Sequence, residues 1–77
     1  MDYDKDRVDE MTLALMCLGM SKELAGGKAW KGFDIGAIDR LHKKGWIAEP
    51  KGKAIYVKLT PEGVRKAEEL FKKHFQS

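Results

Sequence analysis

"RLHKKGWIAEPKGKAIYVKLTPEG", residues 40–63, is the stretch on which the fold of this chain turns. Just upstream, Asp34 is an N-cap, and Phe33 and Ile38 stand at the spacing of a hydrophobic staple. These signals predict a helix over about 35–44 with Ile35, Ile38 and Leu41 inward. Gly45 suits the left-handed position just past its end, and Trp46 falls where a Schellman motif places its hydrophobic contact with Leu41. A hairpin is then expected: a strand at 46–49, a turn in PKGK at 50–53, and a return strand in AIYVKL at 54–59. In the return strand Ile55, Val57 and Leu59 alternate with Tyr56 and Lys58, so the two sets face opposite ways. Thr60 caps a last helix that starts at Pro61, with Val64, Ala67, Leu70 or Phe71, His74 and Phe75 inward.

Towards the N-terminus, Asp4 caps a helix over about 5–20, and its acidic first turn complements the positive helix end. Val8, Met11, Leu15 and Leu18 form the expected core stripe, leaving Leu13, Met16, Cys17 and Met20 as surplus apolar surface. Between the two helices, SKELAGGKAWKGF at 21–33 is broken by glycines and predicts at most a short helical turn at SKELA. The expected fold class is therefore α+β: one small domain over residues 1–77, with three helices and a two-stranded hairpin. The expected core comprises Leu15, Leu18, Ile38, Leu41, Trp46, Ile47, Val57, Leu59 and Phe71.

Composition narrows the classes of function. At 77 residues, 43% hydrophobic and 35% charged, the chain is neither disordered nor a membrane protein in character. A single cysteine, Cys17, rules out an internal disulfide framework. The acidic start MDYDKDRVDE is unlike a signal peptide, and a cytoplasmic location is the expectation. Net charge is +3, unevenly spread: residues 1–10 carry five acids and two bases, residues 21–58 nine bases and four acids.

The segment "DRLHKKGWIAEPKGKAIYVKLTPEG" resembles the recognition helix, wing and L-T-x-E-G segment of winged-helix transcriptional regulators, notably the MarR and PadR types. The likeness covers about residues 33–72 and implies a winged-helix-like domain that binds DNA. Over its whole length, with "DRVDEMTLAL", "AWKGFD" and "DRLHKKGWI", the chain also resembles a family of short bacterial proteins of unknown function. It departs from the regulators in having the helix before the recognition helix reduced to SKELAGG or lost.

Catalytic chemistry is thinly represented, and no enzyme, cofactor or small-molecule substrate is expected. His42 and His74 lie on separate helices without ligand-spaced partners, and Cys17 sits in an apolar helix. "AGGKA" lacks both the upstream glycine and the Ser or Thr of a phosphate loop. For DNA the expected contacts are Arg40, Lys43 and Lys44 on the helix and Lys51 and Lys53 on the wing. Taken singly, each of these lysines is better read as a solvated side chain than as a DNA contact. The chain has no asparagine and only one glutamine, Gln76, so base reading by amides is absent and weak sequence selectivity follows. The competing expectation is a protein-interaction or homodimerisation module that uses Met11, Leu15, Met16, Leu18 and Trp30.

Overall fold

A computed structural model describes residues 2–23, 26–49 and 55–76. Three helices and a three-stranded antiparallel sheet form a small α+β domain, in the order α1 (Lys5–Leu18), β1 (Ser21–Glu23), β2 (Gly26–Trp30), α2 (Ile35–Lys43), β3 (Tyr56–Leu59) and α3 (Pro61–Phe75).

Each helix starts on the cap its sequence supplies. Asp4 accepts from the Arg7 amide, Asp34 from that of Ala37, and Thr60 from that of Gly63. At the end of α2, Gly45 takes a φ of 81°. Its amide donates to the His42 carbonyl at 3.0 Å and that of Trp46 to the Leu41 carbonyl at 3.2 Å, the paired bonds of a Schellman motif. Thr60 also donates from Oγ1 to the Gly45 carbonyl at 2.8 Å, tying the start of α3 to the end of α2.

The sheet departs from expectation. Instead of a helical turn, Ser21–Glu23 and Gly26–Trp30 are two antiparallel paired strands, and the order is β1-β2-β3. Ser21 pairs with Lys28 and Glu23 with Gly26; β2 then pairs with β3 through Gly27↔Leu59, Lys28↔Lys58, Ala29↔Val57 and Trp30↔Tyr56. The glycines that hide this strand from a propensity reading are what let it dock. A Cβ on Gly26 would collide with the Leu59 carbonyl, and one on Gly27 would crowd Met20 and Val64. The expected strand at 46–49 shrinks to a single bridge, Ile47↔Leu59, supported by the Ala48 amide donating to the Lys58 carbonyl. The expected turn at 50–53 lies outside the described residues.

The core is built from Leu13, Ala14 and Met16 of α1, Ile38 and Leu41 of α2, Ala29, Ile47, Val57 and Leu59 around the sheet, and Val64, Ala67 and Leu70 of α3. Trp46 and Phe33 pack on its edge. Two helix phases correct the sequence reading. In α1 the buried residues are Asp9, Thr12, Leu13, Ala14 and Met16, whereas Leu15 is exposed and Leu18 keeps 70% of its surface. Apolar residues surround the second half of this helix, so periodicity does not choose the face; packing on α3 does. In α2, Ala37 is buried while Ile35 is 86% exposed, because the helix begins at the solvent edge of its own cap. Phe71 is half-buried and Phe75 exposed, leaving Leu70 as the core residue of that turn.

Candidate functional site

Two groups of polar and aromatic side chains stand out. The first joins α1 to α2. The Asp9 side chain is wholly buried, with Arg40 Nε 2.9 Å from both of its oxygens and Lys44 Nζ 3.0 Å from Oδ2. Lys44 also reaches Asp6 at 3.2 Å and lies 5.5 Å from the centre of the Trp46 ring. Burial by itself would raise the Asp9 pKa; hydrogen bonds from Arg40 and Lys44, with their charges, outweigh it and hold the carboxyl below its ordinary value. Arg40 is correspondingly raised by its bond to Asp9. For Lys44, burial works against the charged form, and the bonds to Asp9 and Asp6 more than compensate.

The second group is the outward face of the sheet. Gly27, Ala29, Val57 and Leu59 turn inward, so their neighbours Lys28, Trp30, Tyr56 and Lys58 turn to solvent. Register places the two lysines directly across from one another and the two aromatics likewise. Trp30 is 55% and Tyr56 45% exposed. The Lys28 ammonium stands 5.0 Å from the centre of the Tyr56 ring. Beside it, Lys28, Ala48, Glu49, Ile55, Tyr56, Val57 and Lys58 line a depression of about 390 Å³. Neither Lys28 nor Lys58 forms an ion pair with a described residue, in contrast to Lys22, which is held by Glu68 at 2.9 Å. Lysines placed opposite one another repel, so this row is destabilising for the sheet by itself.

Residues 4–77 match the model of a protein family described as a domain of unknown function, DUF6429. The chain belongs to that family. The uncharacterised protein y4hR of Sinorhizobium fredii is 44% identical to this DUF6429 chain over 75 residues, covering 97% of each. No solved structure matches the DUF6429 chain. The resemblance to a family of short bacterial proteins of unknown function is thus borne out. No helix among its described residues is long and apolar enough to cross a membrane.

Of the residues expected to touch DNA, the three that are described in this DUF6429 domain do not all point in one direction. Arg40 and Lys44 turn inward to Asp9, while Lys43 pairs with Asp39 at 3.1 Å on the open side of α2. Lys51 and Lys53 lie outside the described residues. Of the residues expected at an interface, Met16 is buried in the monomer's own core, Met11 is half-buried, and Leu15, Leu18 and Trp30 are exposed. His42 Nδ1 lies 3.2 Å from the Ile47 carbonyl oxygen, and His74 faces Glu10 at 3.9 Å. The sequence already names Lys58 as a wing lysine beside Lys51 and Lys53; what it does not show is Lys28 and its pairing with Lys58. The alternation in AIYVKL already separates Tyr56 and Lys58 from the core; its partner GGKAW carries no matching signal, because two of five positions are glycine.

Proposed function

We propose that this domain binds nucleic acid through the outward face of its sheet, with weak sequence selectivity. The observation that carries the proposal is the register that sets Lys28 beside Lys58 and Trp30 beside Tyr56, all four exposed. A row of cations is unfavourable alone and favourable against a polyanion. In this reading α2 corresponds to a winged helix's recognition helix, and Lys51 and Lys53, which lie outside the described residues, add two further phosphate contacts. The helix is not the main reader. Arg40 and Lys44 are engaged by Asp9, and the side of α2 left open carries Ile35, Asp39 and Lys43. Lys43 can trade its exposed Asp39 partner for a phosphate at little cost, since such pairs contribute about 0.3–0.5 kcal/mol. A cytoplasmic location, with DNA as a partner, belongs to the same proposal.

Titration of labelled oligonucleotides, single- and double-stranded, against salt tests it. Four lysine–phosphate contacts predict log affinity falling with log salt at a slope of about −3 to −4. Lys28→Glu with Lys58→Glu is expected to abolish most of this binding. Absence of binding by either form at low salt, or indifference to the double reversal, would refute the proposal.

The outer face of α1 favours a second role. Tyr3, Leu15 and Leu18 are exposed beside half-buried Val8 and Met11, an apolar stripe suited to a homodimer. Light scattering across a range of concentrations decides it: a monomer throughout removes this role, and Leu15→Glu with Leu18→Glu is expected to dissociate a dimer.

A further inference from the structure

We infer that the polynucleotide taken by this face is single-stranded, with unstacked bases lying on Trp30 and Tyr56 while Lys28 and Lys58 hold its phosphates. The inference rests on the nucleic-acid reading above and specifies its ligand. In a duplex the base faces are hidden in the stack, and a protein meets only phosphates and groove edges. Two exposed rings then have nothing to stack on. In a single strand every base offers a π-face, and aromatic side chains on an antiparallel sheet are a sequence-tolerant platform for it.

The rings are arranged for that use. As cross-strand partners, Trp30 and Tyr56 have their Cβ atoms about 4.5–5.5 Å apart, close enough for neighbouring bases of one strand to reach both. Trp30 is also held in place. Its indole packs over Gly32, where a Cβ would collide with it, and against Phe33 with ring centres 5.8 Å apart. More than half of it nonetheless remains open. A ring already fixed and exposed loses little freedom on binding. The lysines occupy the adjacent row of the same face; a base stacking on Tyr56 displaces the Lys28 ammonium, now 5.0 Å over that ring, towards the neighbouring phosphate. Glu49, on the rim of the depression by Tyr56 and Lys58, disfavours a second close phosphate there and biases the strand towards the aromatic row. Duplex geometry is also poorly served. The major groove admits a helix or a two-stranded ribbon, whereas β2 is paired on both sides, by β1 and by β3.

The test measures fluorescence anisotropy of labelled oligothymidylate, oligouridylate and a mixed-sequence duplex at low salt, using the full chain. At least one single strand is expected to bind about 10-fold or more tightly than the duplex. Trp30→Ala and Tyr56→Ala are each expected to weaken single-strand binding by about 5- to 100-fold, with duplex binding little changed. Trp30→Phe and Tyr56→Phe keep a stacking surface and are expected to retain most of the affinity, separating stacking from any loss of structure. Single strands should also quench tryptophan emission in the parent chain but not in Trp30→Ala, where only Trp46 remains. A duplex bound as tightly as both single strands overturns the inference and leaves the nucleic-acid reading standing. So does single-strand binding untouched by both alanine variants. If no polynucleotide of any kind binds, the two fall together.

Discussion

Arg40 Nε stands 2.9 Å from each carboxylate oxygen of Asp9, and that carboxylate has no exposure to solvent. The bond joins α2 to the second turn of α1 across 31 residues of sequence. It explains why α1 buries an acid in the face that packs against the rest of the molecule. It also ties to Asp9 an arginine that would otherwise be the best guanine reader on α2.

Removing the acid should be costly. Asp9→Asn leaves Arg40 without its ion-pair partner and Lys44 with Asp6 alone, and breaking a buried pair from one side costs about 3–5 kcal/mol. Since Arg40 and Lys44 both keep partial access to water, the lower end is expected. Urea denaturation at neutral pH measures the loss.

The same group sets a dependence on pH. The folded state holds the Asp9 pKa below the ordinary 3.8, so the unfolded chain binds the proton more readily than the folded one. Stability from this carboxylate is therefore fully present above about pH 4 and is lost as pH falls through the lower folded value. Acid titration of the folding free energy should show this loss in the parent and a flatter profile in Asp9→Asn.

Helix phase in α1 can be checked with leucines. Leu13 is fully buried, and Leu13→Ala is expected to cost about 2–4 kcal/mol. Leu18→Ala, at a position 70% exposed, should change stability by no more than about 0.5 kcal/mol in the monomer. Comparable losses at the two sites would reverse the assignment of faces.

Gly63 lies in the first turn of α3 directly against the Trp46 carbonyl, where a Cβ has no room. Although alanine is the better helix former by about 1 kcal/mol, Gly63→Ala is expected to destabilise by about 1–3 kcal/mol through overpacking. Thermal unfolding reads the sign directly.

The lysine row predicts opposed effects on folding and binding. Lys58→Glu turns a repulsive cross-strand pair with Lys28 into an attractive one, worth up to about 1 kcal/mol of added stability. The same change should weaken oligonucleotide binding and flatten its salt slope by about one. A variant that gained stability and kept full affinity would separate this row from the binding face.

What the sequence by itself determined is everything carried by bonds between near neighbours. Asp4, Asp34 and Thr60 each cap a helix through an amide three residues on, and Gly45 closes α2 through carbonyls three and five residues back from the amides that bond them. The alternation that turns Val57 and Leu59 inward is equally local. What tertiary structure alone decided depends on partners distant along the chain. The face that α1 buries was open, because a helix apolar on several sides can pack on any of them, and Leu13 and Met16 won only by fitting α3. Strand β2 has little propensity of its own; it exists because β1 and β3 pair with it and because its glycines admit the Leu59 backbone and the Val64 side chain. The proposed binding face has the same origin. Lys28 and Lys58, or Trp30 and Tyr56, are unrelated letters until the register sets them opposite one another, and that register is fixed by burying Ala29 and Val57 on the other side.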